Sequence, residues 1–170
     1  RGMSSAASDV YKRQGLNLNA GTNDITQTGT ITAGATSLTG SAITLGSANA
    51  LGAITVTSGD GDVSITEAND VLVASITRSG TSNSVSLVAT SGNITDDSDD
   101  AEDIVSVYTL NATATGSIAL DTNVVETSLT SSSSGTVTID ETNAVTLTSV
   151  SAQNGFCLLY TSPSPRDGLL

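Results

Sequence analysis

Apolar and polar residues alternate along most of the chain. Pairs of aliphatic residues separated by one position recur, namely Ile54/Val56, Val63/Ile65, Val71/Val73, Val85/Leu87, Ile118/Leu120, Val137/Ile139 and Val145/Leu147. A period of two places one set of side chains on the inner face of a β-strand and the Thr and Ser residues between them on the outer face. Val and Ile also favour strands. Because no stretch keeps a period of 3.6 and Gly and Asn interrupt the runs, the pattern predicts an all-β chain of short strands.

The strands recur as a larger unit. Residues 61–76 and 135–150 align without a gap, 74 positions apart, and share Gly-x-Val-x-Ile-x-Glu-x-Asn-x-Val. Shorter copies begin at Gly52, Gly92 and Gly116, each followed two residues later by Ile. Self-similarity near a twenty-residue period is typical of solenoids. We therefore expect a parallel β-helix, with coils of about twenty residues that stack through backbone hydrogen bonds. Disorder is the alternative for so polar a chain, but the regular apolar pairs disfavour it.

The repeat also predicts which side chains face the interior. Val63, Ile65, Val137 and Ile139 occupy the inward positions, and the residues between them, such as Thr138, should face outward. Asn69 and Asn143 fall at matching turn positions, where Asn tolerates left-handed backbone geometry. These two could form stacked asparagine ladders or simple exposed turns.

The two ends of the chain differ from the sequence between them. Residues 9–14, DVYKRQ, can be encoded by a DNA element whose opposite strand, in a shifted frame, encodes residues 157–162, CLLYTS. That element resembles the transposon end of a common sequencing-library adapter, and the neighbouring residues resemble the two arms of the same adapter pair. We therefore expect residues 1–14 and 157–170 to be adapter-derived and unstructured, flanking a β-solenoid fragment at 15–156.

Without the flanks, the composition becomes strongly acidic. Residues 15–156 hold 15 of the chain's 17 acidic residues and one base, Arg78, and they contain no His, Cys or Pro. A net negative segment repels phosphate, so neither nucleic acid nor an anionic membrane is an expected partner. The lack of Cys excludes a disulfide framework in this segment. No apolar run is long enough to cross a membrane as a helix, so membrane insertion is not expected.

The repeated Gly-x-Ile/Val-x-Leu/Ile pattern, the opening Leu16-Asn-Leu-Asn-Ala-Gly21 and the abundance of Thr, Ser, Asn and Asp resemble filamentous-haemagglutinin-type exoproteins and related giant bacterial surface proteins. The resemblance covers most of residues 15–156. It implies a right-handed β-helix, secretion to the cell surface, and a role in adhesion or biofilm. The partners it implies are neighbouring repeats of the same parent chain and host or matrix surface ligands.

One cluster of residues is a candidate metal site. Asp96, Asp97, Asp99, Asp100, Glu102 and Asp103 lie within eight residues and could supply oxygen ligands to Ca²⁺. The run lacks the spacing of an EF-hand, and a solvated loop that bulges from one coil is the competing interpretation. Gly59-Asp-Gly-Asp62 weakly resembles a calcium-binding glycine-rich repeat, but it does not recur. Apart from this possible calcium, the sequence indicates no cofactor.

No set of catalytic residues is apparent in the sequence. Residues 15–156 lack the His of a catalytic triad and the Cys or Lys of other nucleophilic sites. Carboxylate pairs could cleave polysaccharide, but sugar sites normally stack aromatic rings, and Tyr108 is the one Tyr in this segment. We therefore expect a non-enzymatic stalk or adhesin scaffold of a secreted or cell-surface bacterial protein. The alternative is a calcium-dependent extracellular binding module made of tandem β-sandwiches.

Overall fold

The structure is a computed structural model that describes residues 14–78, 82–97 and 105–160. Within these ranges the regular structure consists entirely of strands, as the alternating pattern predicts. The strands are β1 (Leu16–Asn19), β2 (Ile25–Thr26), β3 (Thr36–Gly40), β4 (Ile43–Asn49), β5 (Ile54–Ser58), β6 (Val63–Glu67), β7 (Val71–Arg78), β8 (Ser84–Ala89), β9 (Ile94–Asp96), β10 (Val105–Ala114), β11 (Ile118–Ser131), β12 (Val137–Glu141), β13 (Thr146–Ala152) and β14 (Phe156–Tyr160).

The strands form two faces of a parallel β-solenoid. Face A contains β1, β3, β5, β7, β9, residues 105–107 of β10, residues 118–124 of β11, β12 and β14. Face B contains β2, β4, β6, β8, residues 109–114 of β10, residues 126–131 of β11, and β13. One strand of each face makes a coil, and about seven coils of about twenty residues stack along the axis. The predicted parallel β-helix is confirmed. The β-sandwich alternative is not supported, because sandwiches pair their strands antiparallel.

Stacked aliphatic side chains fill the interior. On face B, Ile25, Ile43, Val63, Val85 and Leu110 lie in register in successive coils. A similar column runs along face A through residues 71, 94, 118 and 137. These columns belong to one continuous apolar cluster, which extends through the whole stack.

The predicted inward positions are correct. Val63, Ile65, Val137 and Ile139 are each at most 1% exposed, whereas Thr138 is half-buried on the outer surface. The pair Val145/Leu147 departs from the pattern, since Leu147 is 38% exposed. It belongs to β13, which has no described strand stacked beyond it.

The two long sequence repeats lie on opposite faces. Residues 63–67 form β6 on face B, and the equivalent residues 137–141 form β12 on face A. The register column that contains Val63 reaches Thr127, also on face B, three coils further along the chain. Val137 lies another half coil further along, on face A. An offset of 74 residues therefore spans three and a half coils. The sequence unit is one strand with its turn, which is half of a structural coil.

The glycine of each Gly-x-Ile/Val triplet lies at a corner where consecutive coils come closest. The amide of Gly116 donates to the carbonyl of Gly92 in the preceding coil at 2.7 Å. A Cβ on Gly116 would collide with the side chain of Asn93, and one on Gly135 would collide with the backbone carbonyl of Gly116. The recurrent glycine is thus required by the spacing of the backbones.

The middle residue of the triplet links one coil to the next. Asp70 occupies the equivalent position before β7, although no glycine precedes it, and its Oδ1 accepts a hydrogen bond from the backbone N–H of Asn93 at 2.7 Å. Asn93 Oδ1 accepts from the N–H of Ser117 at 2.8 Å, and Ser117 Oγ accepts from the N–H of Thr136 at 3.1 Å. These side chains satisfy backbone donors that lie just before a strand, where the ladder has not yet begun. The triplet therefore encodes a corner as well as a strand start.

The turn asparagines behave differently from each other. Asn143 Nδ2 donates to Asn123 Oδ1 in the preceding coil, which makes one rung of an asparagine ladder. Asn69 is exposed. Both interpretations of these positions are therefore realised once.

The last strand extends beyond the predicted boundary of the solenoid. Residues 156–160 form β14, which pairs in parallel with β12. The expectation that the C-terminal flank is unstructured from residue 157 onward therefore does not hold for residues 157–160. The physical reason is the open edge of β12, which offers backbone partners to any apolar segment of high strand propensity, such as Phe-Cys-Leu-Leu-Tyr. Residues 1–13 and 161–170 lie outside the described residues.

We expect Gly135→Ala to destabilise the solenoid by about 3 kcal/mol, because its methyl group would push adjacent coils apart. Gly46→Ala is the matched control, since a Cβ at that exposed strand position meets no atom within 4 Å. It should be neutral or slightly stabilising, because alanine reduces the entropy of the unfolded chain. Urea unfolding followed by circular dichroism measures both. Equal effects of the two substitutions would contradict the role assigned to the corner glycine.

Candidate functional site

The candidate calcium ligands fall in an insertion in one coil. Val71 and Ile76 are five positions apart in β7, whereas their register partners in the next coil, Ile94 and Val105, are eleven apart. This coil is therefore six residues longer between these two positions, and the acidic run from Asp96 to Asp103 falls within that longer stretch of sequence. An insertion of this kind is how a solenoid accommodates a loop without disturbing the stacked strands.

Two of the six candidate ligands lie in the described part of the chain. Asp96 ends β9 and is half-buried, and Asp97 follows it and is exposed. Asp99, Asp100, Glu102 and Asp103 lie outside the described residues. Among the residues that the structure describes, no three His, Cys, Asp or Glu side chains are grouped so that they could hold a metal ion. The calcium site stays a prediction.

The Gly59-Asp-Gly-Asp62 segment faces a side-chain cation of the protein itself. Arg78 Nε donates to Ser58 Oγ at 3.0 Å, and its Nη2 donates to the carbonyl of Gly59 at 3.2 Å. Burial lowers the pKa of Arg78, and the negative charges of Asp62 and Asp60 oppose that shift. Asp62 Oδ1 also accepts from the backbone N–H of Ser84 at 2.7 Å. Asp62 therefore has a hydrogen-bond partner in the next coil, and Asp60 and Asp62 both lie close enough to Arg78 for their charges to act on it.

Two glutamates that the sequence analysis did not single out are buried at the coil corners. Glu67 and Glu141 are 1% and 0% exposed, and they occupy the same position in the two long repeats. Each follows two buried aliphatic residues at a spacing of two, as in Val63, Ile65 and Glu67. The alternation itself therefore places the carboxylate inside. This inward position in the alternation was the sequence signal for their burial, but a charged side chain is normally assigned to the surface.

Both buried carboxylates cap a backbone amide of the preceding coil. Glu67 Oε2 accepts from the N–H of Leu51 at 2.9 Å, two residues beyond its register partner Asn49. Glu141 Oε1 accepts from the N–H of Val124 at 3.2 Å, two residues beyond its register partner Thr122. The equivalent geometry recurs on opposite faces of the solenoid. It satisfies an amide that has just left the strand ladder and has no backbone partner there.

An asparagine performs the same task in an earlier coil. Asn49 is fully buried, and its Oδ1 accepts from the N–H of Ile31 at 2.9 Å and from Gln27 Nε2 at 2.8 Å. Its Nδ2 donates to the carbonyl of Thr66 at 3.0 Å. A neutral amide can therefore occupy this corner as well as a carboxylate, which shows that the negative charge is not what the corner requires.

The two glutamates differ in how fully they are hydrogen-bonded. Glu141 also accepts from Thr122 Oγ1 at 2.8 Å and from the N–H of Asn143 at 3.3 Å. Glu67 Oε1 is buried and has no hydrogen-bond partner among the described residues. Burial raises the pKa of Glu67, and the hydrogen bond from Leu51 only partly opposes this. The site can accept hydrogen bonds and take up a proton, but its carboxylates face backbone rather than solvent.

We expect Glu67→Gln to stabilise the protein at neutral pH and to have little effect near pH 4. A raised pKa means that the folded state holds its proton more tightly than the unfolded state. The contribution of Glu67 to stability is therefore complete below its ordinary pKa and is lost as the pH rises through the raised value. Glutamine keeps an acceptor for Leu51 without the charge. Urea unfolding at several pH values measures the difference.

Glu126→Gln is the control for this substitution, because it removes one charge from a half-buried surface position. Its effect on the free energy of unfolding should be smaller at pH 7 than that of Glu67→Gln. A pH profile of Glu67→Gln that runs parallel to that of the wild type would show that Glu67 is not the group responsible.

For calcium, we expect no specific effect on stability. The melting temperature in millimolar Ca²⁺ should equal the melting temperature in the same concentration of Mg²⁺. A ligand raises the melting temperature only when it binds preferentially to the folded state. Differential scanning calorimetry measures both. A rise specific to Ca²⁺ that Asp97→Asn abolishes would establish the site at the acidic run and disprove this expectation.

Comparison with known proteins adds no relative to this description. The chain matches no protein-family model, and no curated protein and no solved structure is significantly similar to it. No helix long and apolar enough to span a membrane occurs in residues 14–78, 82–97 and 105–160. The stacked coils and their corner chemistry are therefore the basis for a functional proposal.

Proposed function

We propose that this chain is a passive, non-catalytic length of a bacterial surface fibre, which holds more distant binding regions away from the cell. The observation that carries the proposal is the uninterrupted stack of coils around one apolar interior. The hydrogen bonds between coils run along the axis, so each coil is held by its neighbours and the array can lengthen without redesign of its core. At about 4.8 Å per coil, seven coils span roughly 34 Å.

The outer surface of face B supports this role. One outward column consists of Thr26, Thr44, Ser64, Ser86, Asn111, Ser128 and Ser149, which lie in register in seven successive coils. None of these side chains is charged. They are small and hydrated, and residues of this kind give a uniform surface without the aromatic anchors that dominate specific interfaces.

The negative charge is concentrated along the middle of the chain. Residues 60–141 hold 14 acidic residues, whereas residues 25–59 and 142–160 hold no charged residue. Like charges on neighbouring fibres repel, so the acidic middle favours separate rather than bundled fibres. This property suits a spacer in a crowded cell surface.

The proposed place of the protein follows the resemblance described above. We assign the segment to a secreted or cell-surface exoprotein of the filamentous-haemagglutinin type, with neighbouring repeats of the parent chain as its main partners. The flanks at 1–14 and 157–170 are proposed to be translated adapter DNA on the basis of their shared coding element. Sequencing of the source gene across both junctions decides that point, because an adapter origin requires the genomic sequence to differ there.

We expect no saturable binding of the chain to host glycans, matrix proteins or surface polysaccharides. Glycan arrays and biolayer interferometry measure this directly. If binding occurs, Ser64→Lys on face B and Thr138→Lys on face A provide a matched pair of outward substitutions. Saturable binding that one of them abolishes and the other preserves would assign an adhesive face to the segment and overturn the spacer role.

A further inference from the structure

The corner between β6 and β7 is closed by a carboxyl group that lacks one hydrogen-bond partner. Glu67 is 1% exposed, and its Oε2 accepts from the N–H of Leu51 at 2.9 Å. Its Oε1 is also buried, and no group in the described ranges hydrogen-bonds to it. A buried oxygen without a donor costs its desolvation free energy, and that cost is larger when the group is charged. The closed corner therefore suits a neutral carboxyl group better than a carboxylate.

The repeat supplies a matched corner in which both carboxylate oxygens are bonded. Glu141 occupies the equivalent position and is likewise buried. Its Oε1 accepts from the N–H groups of Val124 at 3.2 Å and Asn143 at 3.3 Å. Its Oε2 accepts from Thr122 Oγ1 at 2.8 Å. A negative charge at this corner therefore has three donors, whereas the corner at residue 67 offers one.

One residue in the preceding coil explains part of this difference. Asn49 is the register partner of Glu67, and the corresponding position in the other corner is Thr122. The Nδ2 of Asn49 donates to the carbonyl of Thr66 at 3.0 Å and to Gln27 Oε1 at 3.1 Å. These bonds use the amide protons of Asn49, so the Glu67 carboxyl group receives no donor from the side chain that lies beneath it.

The charges around Glu67 do not offset its ionisation. Strands β4 and β8, which flank β6, and the turn at residues 50–53 contain no charged residue. The turn that follows β6 adds Asp70, which is exposed and also negative. Arg78 lies at the far end of β7, where it donates to the carbonyl of Gly59. Burial accordingly raises the pKa of Glu67.

Movement of one turn is enough to hydrate the carboxylate. Leu51, the partner of Glu67, lies in the turn at residues 50–53 between β4 and β5. Its side chain is half-buried and packs against the core. If this turn moves outward, water reaches both carboxylate oxygens, while the ladders that join β6 to β4 and β8 stay paired. A local opening of this kind costs less free energy than unfolding of the whole stack.

We propose that the contact between Glu67 and the turn at Leu51 is a pH-responsive latch, closed while the Glu67 carboxyl group is protonated and open once it ionises. The corner at Glu141 stays closed in both conditions, because three donors hold its carboxylate. Opening of the latch exposes Leu51 and loosens the coil of β6 from the preceding coil at one corner. This inference does not depend on the spacer role, because it follows from the bonding of two equivalent corners.

Amide hydrogen exchange of the full chain, followed by NMR between roughly pH 5 and pH 8, tests the latch. Each rate is divided by the rate of the same amide in an unstructured chain, which gives a protection factor that reports how often the corner opens. The protection factor of Leu51 should fall about tenfold per pH unit above the ordinary pKa of glutamate and level off above the raised pKa of Glu67. The carboxyl ¹³C chemical shift of Glu67 locates that pKa in the same sample.

Two other corner amides serve as controls in the same spectra. The N–H of Ile31 is capped by the neutral side chain of Asn49, and the N–H of Val124 is capped by Glu141. Their protection factors should stay constant over this pH range. In Glu67→Gln, the protection factor of Leu51 should become constant as well, because glutamine keeps an acceptor for this amide and cannot ionise.

Each result decides the proposal. A wild-type protection factor of Leu51 that does not change with pH would overturn the latch. A fall shared equally by Leu51, Ile31 and Val124 would show that the whole stack loosens, and a fall that persists in Glu67→Gln would assign the change to another group. If Glu67→Gln does not fold, the wild type decides alone: the protection factor of Leu51 must level off at the pKa given by the ¹³C shift of Glu67, and a mismatch disproves the latch.

Discussion

The distance between hydrogen-bonded parallel strands, about 4.8 Å, is the constraint on which the rest of this structure depends. Every coil must repeat at that distance along both faces and at the corners between them. Inside the coil, this spacing brings side chains of successive coils into direct contact, so medium-sized aliphatic residues form continuous columns such as Ile25, Ile43 and Val63. At the corners, the same spacing brings backbone against backbone, and glycine at positions such as 116 and 135 is the residue that fits.

The corners also explain why polar and acidic residues occur in an otherwise apolar interior. Where the chain leaves a strand, one amide per corner loses its ladder partner, and an unsatisfied buried amide is costly. Asn49, Glu67 and Glu141 each supply an oxygen to such an amide. The buried carboxylates are therefore part of the folding code of the repeat. Glu67 combines this role with an incompletely satisfied carboxyl group, whereas Glu141 is bonded through both oxygens.

The strands, the parallel arrangement and the inward residues could be predicted from the sequence, because each rests on local alternation and on repetition. The face on which a repeat falls could not be predicted from the sequence. Gly61 and Gly135 begin the same motif, but the strands that follow them lie on opposite faces of the solenoid. The same alternation predicts that the side chains of Glu67 and Glu141 point inward. They were not assigned to the interior because a charged side chain is normally expected at the surface. Strand β14 was missed because an open edge orders whatever strand-forming segment reaches it, independently of the repeat. The acidic run stays a predicted metal site, because such a site depends on side-chain geometry that spacing along the chain does not determine.

The half-coil sequence unit has a consequence for how such a fibre can change. Gain or loss of a whole coil moves everything beyond it along the axis and leaves its orientation unchanged. Gain or loss of a single strand with its turn moves downstream residues from one face to the other, which amounts to half a rotation about the axis. Because the same corner is built with Glu67 on face B and with Glu141 on face A, the fold can accommodate both kinds of change. Recombination between repeats of this kind can therefore reverse the side on which a distal region is displayed, without any substitution in that region.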